Sequence, residues 1–463
     1  MATGIFGVTA SSVQLWITVF VLVLAPLFFG SVDLFWIVVW TILLSTSALC
    51  GVVTPMSTGQ SRVLLGFLAL CGIYALVAIV QVVPNAINQL NDPSWQRANE
   101  ILSLNALPRI SSRAEIPTIA AGHFLLFTTS FVSAFCLGVS QRNFEIFVRF
   151  AHYSILAYVV YGLAAFAFTP NMVLWAPKLA YRGSLTATFI NRNTAATFVG
   201  AGVILWSCSA FFSIQSVQFS SLRLLLLSKL NEDLAFKIIL RSAAALLCFF
   251  ALLLTGSRAG LISACFGLMV AITLMVANRR KVRLWLILVS GSAAIALVVL
   301  LLSRMGQIIS RGLLDEARWS VYEFCVEAIR QRPLLGAGLG SFADLFPSLR
   351  SKDFPSGGVW DYAHSTILEI AVEMGIPVAA MVVIAAVASF FFLARAALMS
   401  QDRSRSSLAA IAGIVVLSYL HSLVDFSLQI PGYLIVFGIL LGCGLARACS
   451  TCEPKQRAIT QSL

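Results

Sequence analysis

Long apolar stretches separated by short polar connections make up most of this chain. An apolar run of about 17 to 25 residues is long enough to cross the hydrocarbon core of a bilayer as a helix. We therefore predict twelve membrane-spanning helices, near residues 13–29, 32–52, 63–83, 117–138, 148–168, 194–214, 236–255, 259–277, 284–303, 366–394, 408–427 and 431–448. This pattern is typical of an all-α, polytopic membrane protein.

One polar connection is much longer than the others. Residues 304–365 separate the ninth and tenth predicted spans, and they begin with an amphipathic stretch over 315–332. Large apolar side chains recur there every three or four positions, at Trp319, Tyr322, Val326 and Ile329. This spacing predicts a helix that lies at the membrane interface.

The distribution of Lys and Arg predicts the orientation of the chain. The most basic connections are 279–283, 395–405 and the C-terminal tail with Lys455 and Arg457, and all three fall on one side of the twelve predicted spans. Short loops rich in Lys and Arg stay in the cytoplasm. We therefore expect both termini to be cytoplasmic. The opposite, periplasmic side would receive residues 84–116, 169–193, 256–260 and 304–365.

Composition supports a membrane location and argues against nucleic-acid binding. The chain is 59% hydrophobic and 11% charged, with a mean hydropathy of +0.92, whereas soluble proteins carry about 25% charged residues. The net charge of +12 is expected in cytoplasmic loops and beside anionic lipid. We find no internal repeat and no soluble domain, and we interpret residues 1–463 as a single membrane domain.

A histidine at the end of the long polar connection is the strongest candidate for catalysis. His364 lies in the segment Asp-Tyr-Ala-His-Ser-Thr-Ile-Leu-Glu over 361–369, where the chain is expected to return to the bilayer. Imidazole titrates near neutral pH and suits a general base. Asp361 or Glu369 could orient its ring, and the sequence does not decide between them. A structural role is the alternative for a single histidine.

Three arginines on the predicted periplasmic side, Arg192, Arg258 and Arg318, indicate an anionic ligand. Guanidinium groups bind phosphate oxygens in pairs and keep their charge, so they suit a lipid diphosphate at the level of the headgroups. Helix capping or contact with lipid phosphate would equally explain Arg258. We expect two further cations of the 169–193 connection, Lys178 and Arg182, to face lipid.

Two asparagines flank Arg192 where a predicted span begins. Asn193 is a candidate helix cap, and Asn191 precedes it by two residues. A helix N-terminus carries partial positive charge and favours anions. Both asparagines are therefore candidates to support a phosphate site. The sequence contains no motif that indicates a metal site.

Several short motifs in a fixed order resemble the bacterial O-antigen ligase and the O-antigen and exopolysaccharide polymerase superfamily. The resemblance covers about residues 185–430. The motifs are Asn191-Arg192-Asn193, Ser257-Arg258-Ala259-Gly260, Arg318-Trp319, Pro-Leu-Leu-Gly-Ala-Gly-Leu-Gly-Ser-Phe over 333–342, and His364-Ser-Thr-Ile-Leu-Glu369 followed by Gly375. In this superfamily an asparagine commonly follows the histidine. Here Ser365 follows it, so the orientation of the histidine stays open.

The resemblance implies a glycosyltransferase of the inner membrane, acting in lipopolysaccharide or exopolysaccharide biosynthesis. Its donor would be a glycan on undecaprenyl diphosphate, and its acceptor lipid A-core or a nascent polysaccharide. Arg192 and Arg258 would hold the diphosphate, Arg318 would contact the donor or order its loop, and His364 would be the base. The implied transfer inverts the anomeric carbon and uses no metal or other cofactor.

A transporter or flippase of lipid-linked glycans is the alternative function. Twelve spans are common in transporters, but their halves usually share a related pattern and their helices break near the membrane midplane. In this chain the polar residues concentrate at one predicted face of the membrane, which favours the enzyme.

Overall fold

The computed structural model describes residues 10–215, 232–277, 316–349, 360–400 and 404–453. These residues form fifteen α-helices. The helices are α1 (Ala10–Leu24), α2 (Leu34–Gly51), α3 (Thr58–Val82), α4 (Pro93–Leu102), α5 (Thr118–Gly138), α6 (Gln141–Phe168), α7 (Arg192–Gln215), α8 (Glu232–Leu254), α9 (Arg258–Val276), α10 (Glu316–Gln331), α11 (Phe342–Leu349), α12 (Thr366–Met374), α13 (Ile376–Met399), α14 (Ser404–Ser422) and α15 (Pro431–Cys452). Two short antiparallel strands, Met172–Val173 and Ala176–Pro177, pair in the α6–α7 connection.

The all-α, polytopic class is confirmed. Ten of the described helices are long and apolar enough to cross a membrane, namely α2, α3, α5, α6, α7, α8, α9, α13, α14 and α15. Helix α1 is also apolar but has 15 residues. The predicted span at 284–303 lies outside the described residues. The core of the bundle is formed by α7, α14 and α15, whose side chains are mostly buried, whereas α3 is an outer helix.

The prediction of a single span over 366–394 is wrong. The chain breaks at Gly375, whose φ is +84°, and forms the short helix α12 before the spanning helix α13. A side chain at this position would overlap the backbone of Leu334. Glycine is therefore required both for the positive φ and for the close approach of the 333–342 loop. Hydrophobicity alone could not reveal this break.

The amphipathic helix is confirmed as α10, but the side chains that pack against the protein differ from the predicted apolar face. Val321 and Cys325 are fully buried, in a cluster with Phe342 and Phe346 of α11. Of the predicted face, Trp319 remains 54% exposed. Because α10 has an apolar residue on most sides of its circumference, spacing alone did not identify the packed face.

Hydrogen bonds from α3 fix the loop that follows α10. The Gln81 side chain donates from Nε2 to the Glu373 carbonyl at 2.7 Å, and its Oε1 accepts from the Leu339 N–H at 3.0 Å. Arg332, at the end of α10, forms an ion pair with the buried Asp92 at 2.6 Å. The end of α10 and the loop after it are thereby joined to α3 and to the 84–116 connection.

Candidate active site

A cationic cavity of about 480 Å³ lies where four separate segments of the chain meet. Its lining residues are Tyr181, Arg182, Ser184, Arg192, Arg318, Trp360 and His364. Three guanidinium groups and one imidazole therefore share one small space, and within the described part of the chain no carboxylate belongs to this lining. Such a cavity attracts an anion, because positive side chains predominate among the described residues that line it.

Arg192 reaches the cavity from the first turn of α7. The Asn191 Oδ1 accepts a hydrogen bond from the Asn193 N–H at 2.7 Å, so Asn191, and not Asn193 as we expected, caps this helix. The Asn193 side chain instead donates to the buried Asp425 at 2.9 Å. The N-terminus of α7, with its partial positive charge, thus lies beside the Arg192 guanidinium.

Tyr181 lies against the Arg192 guanidinium, whose Cζ is 5.3 Å from the centre of the phenol ring. Burial raises the pKa of Tyr181 and the negative charge of Asp425 raises it further, whereas Arg192 and Arg318 partly offset both effects. The phenol therefore stays neutral and can donate a hydrogen bond to an anion in the cavity.

Arg318 reaches the cavity from α10. Its Nη1 donates to the Val424 carbonyl at 3.1 Å, which joins α10 to the turn between α14 and α15. One helical turn later, the Tyr322 hydroxyl donates to the His364 carbonyl at 3.1 Å. The same helix thus supplies a cation to the cavity and holds the backbone of the candidate base.

His364 adopts a backbone conformation that is unusual for its residue type, with φ at +54°. Its ring lies between those of Trp360 and Phe426, with ring centres 4.9 Å and 4.8 Å away. Outside glycine, such a left-handed conformation is uncommon, and it persists only where neighbouring contacts enforce it. The Tyr322 hydrogen bond is one of these contacts.

Glu369 supplies a second contact, through the backbone. This buried carboxylate accepts from the Ala363 N–H at 2.7 Å and from the Gln429 amide at 2.8 Å. It lies in α12, which ends before the α13 span. Burial raises the pKa of Glu369, and the neighbouring Glu373 raises it further. Asp361 and Glu369 were the two carboxylates considered as partners of His364. Glu369 fixes Ala363, the residue before His364, whereas the exposed Asp361 lines a different cavity.

Arg258 does not belong to the lining of the cationic cavity. It is the first residue of α9, and the Ser257 hydroxyl caps this helix by accepting from the Gly260 N–H at 3.2 Å. The helix begins close to Arg192, since a Cβ built on Gly256 would lie 3.5 Å from the Arg192 Nη1. The structure therefore brings Arg192, Arg318 and His364 to one cavity, and Arg258 is not among the residues that line it.

Comparison with known protein families gives this arrangement a context. Residues 243–383 match the family model described as O-antigen ligase. The chain carries an O-antigen ligase domain. The resemblance drawn from the motifs is thereby confirmed for these residues, and the family consists of glycan-transferring enzymes. No curated protein matches the chain.

The O-antigen ligase domain contains part of the candidate site. Arg258, Arg318, His364 and Glu369 lie within the matched residues, whereas Arg192 precedes them. The cavity is therefore built jointly by the matched domain, by the start of α7 and by Tyr181, Arg182 and Ser184 of the connection before α7. The motifs are far apart in the sequence, and the fold brings their residues together at one cavity.

The expectation that Lys178 and Arg182 face lipid is wrong. Lys178 is buried and donates from Nζ to the Ser184 carbonyl at 2.9 Å, which closes a compact loop. Arg182 donates from Nε to the Lys178 carbonyl at 3.2 Å, and its side chain lines the cationic cavity. Arg182 is thus a site candidate that sequence reasoning missed. Its signal was the absence of any acid between residues 169 and 193.

A network of buried polar side chains lies next to the cavity. The Thr197 hydroxyl lies 2.5 Å from His421 Nδ1, and it donates to Ser427 at 3.0 Å. Asp425 accepts from Asn193 and from Ser427, and both His421 and Asp425 are fully buried. His421 and Asp425, four residues apart in the sequence, therefore belong to one buried network. It joins α7 to the turn that Arg318 contacts.

We expect replacement of Glu369 to impair catalysis without weakening donor binding, because its carboxylate holds the backbone before His364 by accepting from the Ala363 N–H. Glu369→Ala should lower kcat by about 100-fold, the loss that a displacement of about 1 Å can cause. Glu369→Gln keeps an acceptor for the Ala363 N–H and should retain more activity. Steady-state kinetics with purified protein separates the two parameters. A rise in donor KM with unchanged kcat would contradict this role.

Proposed function

We propose that this protein transfers a glycan from an undecaprenyl diphosphate-linked donor to a sugar hydroxyl, as an O-antigen ligase or a polysaccharide polymerase. The observation that carries the proposal is the cationic cavity, in which Arg182, Arg192 and Arg318 accompany His364. A diphosphate requires several fixed positive groups, and a hydroxyl nucleophile requires a base. Lipid A-core or a nascent polysaccharide would be the acceptor.

In the proposed reaction, His364 accepts the proton of the acceptor hydroxyl. The hydroxyl oxygen then forms a bond to the anomeric carbon of the donor sugar, while the bond from that carbon to the diphosphate oxygen breaks. Undecaprenyl diphosphate leaves with the electron pair of the broken bond. Arg192 and Arg318 stabilise the negative charge that develops on the leaving diphosphate, and the transfer inverts the anomeric carbon. Stabilising the charge on the leaving diphosphate requires fixed cations and does not require a metal ion.

The remaining site candidates would act from a greater distance. Arg258 and the N-terminus of α9 would add positive potential behind Arg192. Asn191 would keep Arg192 at the cavity by capping α7, and Asn193 would anchor the same turn to Asp425. Asp361 lies on the opposite face of the His364 segment, so any support it gives to His364 would be indirect.

We further propose that the site is periplasmic and that both termini are cytoplasmic, in the inner membrane. The cavity residues come from segments that the charge distribution assigns to the same side, namely 169–193 and 304–365. At the other end of the bundle, Glu453 after α15 accepts from the Ser57 hydroxyl at 2.6 Å and from the Gly59 N–H at 2.9 Å. Both partners lie on the predicted cytoplasmic side, which is consistent with the proposed orientation.

Reaction in detergent tests the enzymatic function against transport. Purified protein, mixed with an undecaprenyl diphosphate-linked glycan and a sugar acceptor, should form the transferred product and free undecaprenyl diphosphate without any sealed compartment. A transporter requires two compartments and changes no bond, so intact donor after prolonged incubation with active, folded protein would contradict the proposal. The product also identifies the acceptor. Lengthened lipid-linked chains indicate a polymerase, and glycan on lipid A-core indicates a ligase.

A further inference from the structure

The connection between α6 and α7 supplies three of the seven residues that line the cationic cavity. Tyr181, Arg182 and Ser184 lie there within four positions of one another. They belong to a short stretch, residues 178–184, which we call the 178–184 loop. This loop contains two cations and no acidic residue, so its side chains add to the positive potential of the cavity.

Lys178 closes the 178–184 loop with both its side chain and its backbone. Its Nζ donates to the Ser184 carbonyl at 2.9 Å, and its carbonyl accepts from the Arg182 Nε at 3.2 Å. Its own N–H donates to the Asn171 carbonyl at 2.7 Å, which joins the loop to the start of the two short strands. Lys178 therefore contacts two of the three residues that the loop places at the cavity, although it does not line the cavity itself.

The end of the loop is fixed beside α7 and α8. The Leu185 N–H donates to the carbonyl of Leu254, the last residue of α8, at 2.9 Å. A Cβ built on Gly256, two residues after α8, would lie 3.9 Å from the Ser184 Oγ and 3.5 Å from the Arg192 Nη1. The Ser184 hydroxyl and the Arg192 guanidinium therefore lie close to the same glycine.

Tyr181 has an unusual backbone conformation within the closed loop, with φ at +56°. Its carbonyl accepts from the Ser184 N–H at 3.1 Å, and its ring lies against the Arg192 guanidinium. A non-glycine residue adopts this conformation only where the surrounding contacts enforce it, and such positions concentrate at ligand sites. Closure of the loop by Lys178 is one of these contacts.

The Lys178 ammonium is buried against a neutral carbonyl. Burial lowers the pKa of Lys178, because desolvation disfavours the charged form. A negative ligand in the adjoining cavity would offset part of this cost. A buried lysine therefore suits a loop that binds an anion better than a loop that only connects two helices.

We propose that the 178–184 loop binds the donor diphosphate through the Tyr181 and Ser184 hydroxyls and the Arg182 guanidinium, and that Lys178 is the positioning residue of this loop. The proposal rests on the proposed function and assigns further ligands to its leaving group. Lys178 does not touch the diphosphate and acts through the residues that it holds in place. The loop lies outside the matched residues 243–383.

The affinities of the purified protein for inorganic pyrophosphate and for undecaprenyl diphosphate test the role of Lys178. Lys178→Met keeps a long side chain without the ammonium, and it should weaken the binding of both ligands at least about tenfold, which corresponds to about 1.4 kcal/mol. Lys178→Arg keeps the charge and a donor for the Ser184 carbonyl, so it should retain more affinity. In transfer kinetics, Lys178→Met should raise the donor KM and leave kcat nearly unchanged, because the contacts that hold His364 come from α10 and α12.

Asn99→Ala is the matched control for Lys178→Met. The Asn99 side chain closes another loop, on the same predicted side of the membrane, by donating to the Ala106 carbonyl at 2.9 Å and accepting from the Ala106 N–H at 3.0 Å. No described residue of the 84–116 connection lines the cationic cavity. Asn99→Ala should therefore lower the melting temperature, as Lys178→Met does, and leave both affinities unchanged.

A multiple variant shows whether Lys178 acts through the loop. Arg182→Gln and Ser184→Ala should each weaken the binding of pyrophosphate, and Ser184→Ala leaves the carbonyl to which Lys178 donates. In protein that carries both changes, Lys178→Met should cost less affinity than it does in the wild type, because its effect passes through these side chains. An equal cost in both backgrounds would overturn the positioning role.

Other outcomes separate this proposal from the proposed function. Wild-type affinity for pyrophosphate in Lys178→Met would overturn the proposal, and so would the absence of pyrophosphate binding by folded wild-type protein. An equal loss of affinity in Lys178→Met and Asn99→Ala would assign the effect to stability alone and would also overturn it. Binding of pyrophosphate that depends on Lys178, in a wild-type protein that transfers no glycan, would overturn the proposed function and leave the loop as an anion site.

Discussion

We expect His364→Asn to abolish glycan transfer while the protein remains folded. General-base catalysis by a positioned side chain contributes about 100- to 10,000-fold to a rate, and in this cavity the imidazole is the group suited to take the hydroxyl proton. Asparagine is the informative substitution because the backbone at this position has φ of +54°, a region that Asn tolerates better than other residues with a side chain. The variant therefore removes the base with little added strain. Product formation is measured with purified protein and lipid-linked donor.

His364→Ala and His364→Gly complete this series. Alanine should be equally inactive but less stable, since it meets the same strained φ, and its melting temperature should fall below that of the Asn variant. Glycine leaves a space beside Trp360 and Phe426 in which added imidazole can restore part of the rate. Wild-type amounts of product from His364→Asn would exclude His364 as the base.

We expect Arg192→Gln to weaken the interaction with the proposed donor and to slow the transfer. A hydrogen bond to a charged group contributes about 1.5–3 kcal/mol, so the loss of Arg192 should reduce kcat/KM by about 10- to 100-fold. Arg192→Lys keeps the charge but loses the paired geometry of the guanidinium, and it should lie between the wild type and the glutamine variant. Steady-state kinetics at several donor concentrations measures these effects.

Arg258→Gln is the matched control for Arg192→Gln. Both arginines are the first residues of spanning helices, α9 and α7, but Arg258 does not belong to the lining of the cavity. Its replacement should therefore have a smaller effect on kcat/KM. An effect of Arg258→Gln that equals or exceeds that of Arg192→Gln would mean that the diphosphate lies nearer to α9.

Much of the fold could be predicted from the sequence because a bilayer requires long apolar helices whose backbone hydrogen bonds are made within the helix. Eleven of the twelve predicted spans fall on described helices, although one of them is divided at Gly375. That division depends on contact between Gly375 and Leu334, which are distant in the sequence. Hydropathy does not carry such information.

Part of the site could also be predicted from the sequence. The motifs identified Arg192, Arg318 and His364, which the fold brings to one cavity. Arg182 was missed because the absence of acids between residues 169 and 193 does not by itself distinguish a cation that faces a cavity from one that faces lipid. The separate cavity that Asp361 lines was also missed, since most of its lining consists of ordinary apolar residues on separate helices.

The affinity of purified variants for undecaprenyl diphosphate tests most directly whether the cationic cavity holds the donor and His364 performs the chemistry. We expect His364→Asn to bind the lipid as the wild type does, although it transfers no glycan. Arg192→Gln should bind at least about tenfold more weakly, the change expected from about 1.4 kcal/mol. Unchanged affinity in Arg192→Gln, together with weakened binding in Glu373→Gln in the separate cavity that Asp361 lines, would contradict the account.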